Sequence, residues 1–301
     1  MVHRCQPPGK GRYAVTEEDP TPRLAVLGAG VMGVSISTLA LGQGVPVVLI
    51  ETDPAKRADA GARIERELRT AQLMGVRSDT PPAQLVTGAR AADCEGADVV
   101  IEAITEEAGL KVAALTEAGE AAGPGTALVT NTSSIPVDEL AAKLPHPERL
   151  LGVHFMNPSY LIRTVEVIRG SRTSRQAVES VQRLLDALGR RGVFVGDGPG
   201  FVTSRVLHRM INDAARVVEE GRATAEDVDT LMQDCLGHRT GPLRTADLIG
   251  IDNLVDSLWV LHERTGDEGC RPCDLLLQKV RDGEHGRKNG RGFYTYTGMV
   301  S

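Results

Sequence analysis

The motif GAGVMG most constrains what this chain can fold into, because it lies between an apolar strand-like run and a helix-like run. Gly28 permits a tight turn, Gly30 lets a pyrophosphate approach the backbone, and Gly33 lets the helix pack close on the strand. The phosphates would then sit at the positive end of the helix that begins with Val31 and Met32. In this setting the motif predicts a dinucleotide-binding turn rather than a purely structural one.

The second predicted strand, VVLIETDP, ends in two acidic residues. Asp53 precedes Pro54, a pattern typical of a helix N-cap. Glu51 closes the strand, and we assign it to the adenosine ribose, where a carboxylate accepts from both hydroxyls and repels a 2′-phosphate. The sequence therefore predicts NAD rather than NADP as the cofactor. Lys56 and Arg57 are interpreted as a solvated helix face.

Strands and helices alternate through the first two thirds of the chain, which indicates an α/β fold with a Rossmann-type, doubly wound and mainly parallel sheet. PPAQLV reads as a break. From GPGF onward the periodicity is helical, and GFYTY at the tail is the single candidate for a further strand. We predict a flexible leader at residues 1–21, an NAD-binding domain at residues 22–197, and a smaller all-helical domain for substrate binding and dimerisation at residues 198–301.

Composition narrows the classes of partner. The net charge of −6 and the 3% aromatic content argue against nucleic-acid and anionic-membrane partners. No apolar run has the length of a bilayer, and the N-terminus has no signal-like core. Five cysteines without framework spacing fit a reducing cytoplasm. Cys270 and Cys273 form a CxxC pair that we interpret as two half-buried thiols, and we predict no metal site.

The stretch LLGVHFMNPSYLIRTVEVI reads as two short apolar strands joined by a loop. The first strand ends in His154, and the second carries Glu166 in its middle. Imidazole suits a general base that takes a hydroxyl proton while a hydride leaves, and a neighbouring carboxylate can hold the ring by its other nitrogen. The two residues alone are equally compatible with a structural core histidine.

Seven motifs together resemble the L-3-hydroxyacyl-CoA dehydrogenases: GAGVMG, VVIEAITEE, NTSS, GVHFMNP, TVEVI, GPGF and GRGFYTY, in this order. The resemblance runs from about Leu24 to Tyr296, nearly the whole chain. It implies an NAD-dependent enzyme in which His154 is the catalytic base and Glu166 its partner carboxylate.

The resemblance implies further site residues. Ser133 matches the serine that meets the substrate hydroxyl or carbonyl beside the cofactor; otherwise it is a helix N-cap, a function that Ser134 could also serve. Asn157 matches a loop asparagine of the family, and otherwise forms a turn before the following proline. Glu106 and Lys111 match residues on the nicotinamide side, and otherwise are ordinary surface charges on a helix.

Three departures from the family pattern bear on the substrate. Ser204 stands where the family has an active-site asparagine, and its hydroxyl reaches less far. The helical arm after the second strand offers only Arg66 and Arg69 in place of a lysine cluster for the CoA nucleotide. Polar residues replace apolar ones at four positions: Arg163, His238, Arg239 and Arg244. These departures resemble the branch that prepares extender units for polyketide synthases.

The most specific expectation is therefore oxidation of a glyceryl group on an acyl carrier protein to the 2-hydroxy-3-oxopropionyl thioester. The alternatives are a 3-hydroxybutyryl-CoA dehydrogenase and a non-catalytic structural relative that binds a dinucleotide. A β-hydroxyacid dehydrogenase of the type that uses a catalytic lysine is disfavoured, because no lysine lies between Lys143 and Lys279. The apolar faces of the helical part predict a homodimer.

Overall fold

The structure is a computed structural model that describes residues 21–76 and 81–296. The predicted leader lies almost wholly outside the described residues. These residues form one sheet of eight strands: β1 (Leu24–Leu27), β2 (Val47–Ile50), β3 (Leu85–Gly88), β4 (Val99–Glu102), β5 (Ala127–Thr130), β6 (Leu150–His154), β7 (Thr164–Ile168) and β8 (Arg191–Val195).

The same described residues form ten α-helices: α1 (Val31–Gly42), α2 (Pro54–Leu73), α3 (Ala108–Ala122), α4 (Val137–Ala141), α5 (Arg175–Ala187), α6 (Thr203–Glu219), α7 (Ala225–Asp234), α8 (Pro242–Ile249), α9 (Ile251–Thr265) and α10 (Asp274–Arg281). Helices α6 to α10 follow the sheet and pack on one another around their own apolar core. The helical character predicted for the last third of the chain is confirmed.

The strand order is β3-β2-β1-β4-β5-β6-β7-β8. Every neighbouring pair is parallel except β6 and β7, which are antiparallel. The first six strands thus follow the order of a dinucleotide-binding sheet, in which the strand order switches between β1 and β4 while the strands stay parallel. The predicted Rossmann-type, mainly parallel sheet is confirmed.

Both faces of the sheet are covered, so successive strand residues enter different cores. Leu24 and Val26 of β1 pack in the cluster that also contains apolar residues of α1, α2 and α5. Ala25 and Leu27 pack in the cluster with α3 and α4. All four side chains are buried, which is why these strands read as continuous apolar runs rather than alternating ones.

Two interpretations of the sequence are wrong. The stretch read as a break contributes Leu85 and Val86 to β3, which pairs with β2 at the edge of the sheet. The tail candidate GFYTY forms no strand within the described part of the chain; Arg291 makes single bridges to Gly286 and Thr295 instead.

None of the described helices is long and apolar enough to cross a membrane.

Candidate active site

The glycine-rich turn joins β1 to α1 at the carboxyl edge of the sheet. Gly28 has φ +97°, and a Cβ there would lie 2.9 Å from the carbonyl oxygen of Ala103. A Cβ on Gly33 would overlap the Gly28 carbonyl oxygen, whereas one on Gly30 would meet nothing within 4 Å. The first and last glycines are therefore required by packing, and the middle one keeps a surface open for a ligand.

Helix α1 differs from its neighbour in how it begins. Asp53 caps α2 by accepting from the amides of Ala55 and Lys56, at 2.8 and 3.1 Å, which confirms the N-cap prediction. No described side chain caps α1, whose N-cap residue is Gly30. Its first amides are left for an anion at the positive end of the helix, and a pyrophosphate fits there.

Glu51 links the end of β2 to the turn. Its carboxylate accepts from the Ala29 amide and from the Asp53 amide, each at 2.9 Å. Arg57 is half-buried and donates to the Glu51 carbonyl oxygen at 2.6 Å, whereas Lys56 is exposed on the first turn of α2. The Glu51 carboxylate is held beside the turn by two backbone amides, and each oxygen can accept a further hydrogen bond from a ribose.

Lys111 lies inside the protein. Only 1% of Lys111 is exposed, and its ammonium lies 2.7 Å from Glu102 Oε1 and 3.0 Å from Glu106 Oε2. Glu102 ends β4, is fully buried, and also accepts from the Thr130 hydroxyl at 2.8 Å. The alternative of an ordinary surface charge is wrong for Lys111, which pairs with the buried Glu102. Glu106 lies before α3, and its side chain is 38% exposed, but it is held by Lys111 rather than being free in solvent.

Glu106 organises the loop after β5. One of its oxygens accepts from the amides of Ser133 and Ser134, at 3.1 and 3.2 Å, and from the hydroxyls of Thr132 and Ser134. Burial by itself raises the pKa of Glu106, but the Lys111 charge and these hydrogen bonds outweigh it and lower the pKa. The anion therefore fixes the backbone that carries the Ser133 side chain.

Neither serine of this loop caps the following helix. The N-cap residue of α4 is Pro136, and Asp197, from beyond β8, accepts from the amides of Val137 and Asp138 at 2.9 and 2.8 Å. The N-cap alternative for Ser133 and Ser134 is thus wrong. Ser133 is half-buried in the loop, with no capping function to occupy its hydroxyl.

His154 and Glu166 are direct partners in the antiparallel ladder of β6 and β7. His154 Nδ1 lies 2.8 Å from Glu166 Oε2, and each residue is 6% exposed. The contact predicted for this hairpin is present. The ring of Phe201 lies 5.9 Å from the His154 ring, centroid to centroid, and covers one side of it.

Glu166 also receives the start of α6. Its Oε1 accepts from the amides of Val202 and Thr203, at 3.0 and 2.9 Å, and its Oε2 accepts from the Thr203 hydroxyl. Burial raises the pKa of Glu166, but hydrogen bonds from His154, Thr203 and Val202 outweigh it and lower the pKa to about 2. Glu166 is therefore an anion throughout the physiological range, and it joins the base to the helical part of the chain.

Two further predicted residues, Ser204 and Asn157, lie on segments adjacent to Thr203 and to β6. Ser204 is in the first turn of α6 and is 6% exposed. Asn157 is exposed in the loop that follows β6, next to Pro158, and the peptide bond between them is cis. Ser159, two residues on, bonds through its hydroxyl and amide to the Ser35 hydroxyl of α1. The loop that carries Asn157 is thus tied to the nucleotide-binding helix.

Three of the arginines that mark departures from the family pattern have contacts of their own. Arg66 and Arg69 are exposed on α2, where they face Asp59 and Glu65. Arg244 packs on the ring of Tyr294, 4.0 Å from its centroid.

Cys270 and Cys273 are free thiols that are almost fully buried, and burial raises the pKa of both.

Four functional neighbours were missed in the sequence: Glu102, Asp197, Thr203 and His208. Glu102 ends the apolar run VVIE, where a single acid at a strand end is a usable signal. Thr203 lies between the GPGF motif and Ser204, yet nothing local marks it as a partner of Glu166, 37 residues away. Asp197 and His208 carry no local signal, because their surroundings come from other parts of the chain.

A dinucleotide-binding sheet with an open glycine turn, next to a buried imidazole held by a carboxylate, defines a dinucleotide-dependent dehydrogenase. The comparison with known families agrees. Residues 23–198 match the model described as 3-hydroxyacyl-CoA dehydrogenase, NAD binding domain, and residues 200–296 match the model of the C-terminal domain of the same enzymes. The chain belongs to the 3-hydroxyacyl-CoA dehydrogenase family and is an NAD-dependent oxidoreductase that acts on a CH–OH group.

Individual relatives are similar along nearly their whole length. A probable 3-hydroxybutyryl-CoA dehydrogenase of Bacillus subtilis is 39% identical, over 93% of this chain and 99% of its own. A 3-hydroxybutyryl-CoA dehydrogenase of Bradyrhizobium diazoefficiens is 34% identical, over 92% and 96%. The crystal structure of the (S)-3-hydroxybutyryl-CoA dehydrogenase PaaH1 from Ralstonia eutropha superposes with a TM-score of 0.83 at 32% identity, over 92% of this chain and 100% of that one.

Proposed function

We propose that this enzyme oxidises the 3-hydroxyl of a short 3-hydroxyacyl-CoA thioester, with 3-hydroxybutyryl-CoA as the first substrate to test. The observation that carries the proposal is the buried pair in which Glu166 binds His154 through Nδ1, at 2.8 Å. An anionic carboxylate can only accept, so the proton of the neutral ring is on Nδ1. The lone pair of Nε2 is then available for a substrate hydroxyl.

The chain's own groups have separate tasks in this reaction. His154 Nε2 takes the hydroxyl proton, and Glu166 stabilises the imidazolium that results. Ser133, whose amide is held by Glu106, offers its hydroxyl to the reacting oxygen. NAD, when bound at the glycine turn beside Glu51, supplies the acceptor for the hydride that leaves carbon 3. Asn157 and Ser204 border the same site from the loop after β6 and from α6.

The named relatives are CoA enzymes, which supports CoA as the carrier of the acyl group. They give no support to the acyl carrier protein expected from the sequence, nor to a glyceryl group or a place in polyketide synthesis. The absence of a lysine cluster on α2 had favoured the carrier protein. Arg66 and Arg69 are exposed there, and among the described residues they form ion pairs with acids of their own helix, so both remain accessible to a nucleotide phosphate.

We further propose a homodimer formed through the helical domain, and a cytoplasmic location. The first rests on an exposed apolar groove along α6 and α7. The second rests on the cysteines: Cys94, Cys235, Cys270 and Cys273 are all free thiols, as a reducing compartment favours.

Formation of NADH tests the reaction and the carrier together. The purified chain is given NAD and (S)-3-hydroxybutyrate as the CoA thioester, as the thioester of an acyl carrier protein, and as the free acid. We expect the CoA thioester to have the highest kcat/KM and the free acid to be nearly inert. A higher kcat/KM for the carrier-protein thioester contradicts the assignment of CoA, and failure to oxidise every 3-hydroxyacyl thioester contradicts the proposed function.

A further inference from the structure

Ser204 and His208 form a pair of polar side chains on the inner face of α6. The transfer of the substrate proton to His154 gives no reason for this pair. They are four residues apart, so their side chains are neighbours on one side of the helix. They are 6% and 7% exposed. Glu166 accepts from the amides at the start of α6, so the first turn of the helix lies next to the carboxylate that binds His154. The pair is thus within about two helical turns of the catalytic base.

His208 is a buried histidine whose hydrogen bonding is incomplete. Within residues 21–76 and 81–296, no group hydrogen-bonds to its buried Nδ1. Buried polar atoms of this kind are nearly always paired in proteins, so a core histidine kept only for packing does not account for it. His208 thus has a buried hydrogen-bonding atom with no partner among the described residues, on the helix whose first amides bind Glu166.

The protonation state of His208 indicates what the ring can do. Burial lowers the pKa of His208 to about 4, and the charge of His154 contributes in the same direction. The ring is therefore neutral near pH 7 and is a weak base. A neutral imidazole has one nitrogen that donates and one that accepts, which suits it to bind a hydroxyl.

Ser204 complements this ring. Its side chain is short, so it fills little of the space on this buried face of α6. A serine hydroxyl can donate and accept at the same time. Ser204 and His208 together present a small polar surface, in contrast to the apolar lining that a simple alkyl chain favours.

We propose that Ser204 and His208 form a polar subsite beside His154, which binds a second hydroxyl of the acyl group on a carbon adjacent to the one that is oxidised. The inference rests on the proposed function, because it needs a 3-hydroxyacyl thioester at His154. A dihydroxyacyl chain satisfies His208 Nδ1, whereas a plain chain leaves that atom unpaired. A site built to bind a hydroxyl discriminates strongly against the analogue that lacks it.

Two matched substrate pairs test the subsite with the whole enzyme and NAD. The first pair is 2,3-dihydroxypropanoyl-CoA and 3-hydroxypropanoyl-CoA, which differ at carbon 2. The second is 3,4-dihydroxybutyryl-CoA and 3-hydroxybutyryl-CoA, which differ at carbon 4. We expect kcat/KM to be at least about tenfold higher for the dihydroxy member of one pair, and the pair that shows this effect identifies the carbon.

Variants separate a binding role from a structural one. His208→Leu should bring that kcat/KM ratio close to one, and Ser204→Ala should reduce it. His208→Asn, whose amide occupies the place of Nδ1, should restore most of the preference. The control is His146→Asn, at an exposed position before the opposite end of β6, which should keep the wild-type ratio.

The inference is overturned if the wild-type enzyme oxidises the plain substrates and shows no preference in either pair. It is also overturned if His208→Leu keeps the wild-type preference. If no member of either pair is oxidised, the proposed function fails first, and the two failures are thereby distinguished. The wild-type comparison alone decides between these outcomes even if a variant does not fold.

Discussion

At the scale of single residues, Glu166 connects the base to the rest of the molecule. It accepts from His154 Nδ1, from two amides and from one hydroxyl. A carboxylate with four donors in a buried site is strongly stabilised as an anion. The orientation of His154 thus depends on where α6 begins, and the helical part of the chain contributes to catalysis through this contact.

The pair of His154 and Glu166 should behave as one catalytic unit. His154→Ala should lower kcat by roughly 10²–10⁴, because proton removal is lost. Glu166→Gln keeps the shape but cannot stabilise an imidazolium, so it should also lower kcat strongly while NAD affinity stays nearly unchanged. The double variant should be little worse than His154→Ala. Steady-state kinetics measure all three, and a wild-type kcat in Glu166→Gln would show that the contact is merely structural.

His208 should make the folded state sensitive to mild acid. Its pKa of about 4 in the folded protein is below the ordinary value of 6.5, so the unfolded chain binds more protons between these two values. Stability must then fall as the pH falls through this window, by up to about 3 kcal/mol from this residue. His208→Asn should remove that part of the loss.

Urea unfolding at several pH values between about 7 and about 4 measures this contribution. The wild-type free energy of unfolding should decrease more steeply towards acid than that of His208→Asn, with the exposed His146→Asn variant following the wild type. Parallel curves for wild type and His208→Asn would mean that His208 titrates normally in the folded protein.

At the scale of elements, the turn between β1 and α1 uses its glycines for two different purposes. Gly33 is a packing requirement, because a Cβ would overlap the Gly28 carbonyl oxygen. Gly30 has room for a Cβ and a φ of −69°, which any residue adopts. Its missing side chain therefore serves the ligand rather than the fold.

Alanine substitutions should separate these purposes. Gly33→Ala should destabilise the protein by about 1–3 kcal/mol, because the overlap forces the turn and helix apart. Gly30→Ala should melt near the wild-type temperature but bind NAD about tenfold more weakly, a loss of about 1.4 kcal/mol. Thermal melting and NAD titration give the two quantities. Unchanged NAD affinity in Gly30→Ala would place the pyrophosphate away from this turn.

At the scale of the whole molecule, the helical domain exposes an apolar groove of about 730 Å³ along α6 and α7. Val206 and Leu231 line it and are 63% and 57% exposed. Arginines and aspartates also line it, among them Arg209 and Asp213. A surface with both signs of charge around an apolar centre is complementary to itself, as a twofold interface requires. A second copy of the chain is therefore the occupant that we expect.

The dimer prediction can be checked by light scattering at micromolar concentration. The wild type should have the mass of two 32.1 kDa chains. Leu231→Glu should shift it towards one chain, because a buried unpaired charge opposes association. Leu73→Glu, at an exposed position at the end of α2, is the matched control and should remain dimeric. A monomer mass for the wild type would contradict the prediction.

The elements that could be predicted from the sequence are those with strong local patterns. Strands buried on both faces have continuous apolar runs, and the amphipathic helices of the second half have clear periodicity. Strand β3 was missed because it lies at the sheet edge, where Val86 and Thr87 are exposed and no apolar run marks it. The surface-charge alternative for Lys111 failed for the opposite reason, since a lysine gives no local sign of burial.

Local sequence was sufficient for the dinucleotide turn, the sheet class, and the pairing of His154 with Glu166. Each of these depends on residues close in sequence or on a motif whose chemistry is local. The capping of α6 by Glu166 and of α4 by Asp197 depends on contacts between distant segments. So does the burial of His208, whose Nδ1 has no partner in the described part of the chain. Burial and hydrogen bonding are properties of the assembled packing, so these features could be recognised only once the segments were placed together.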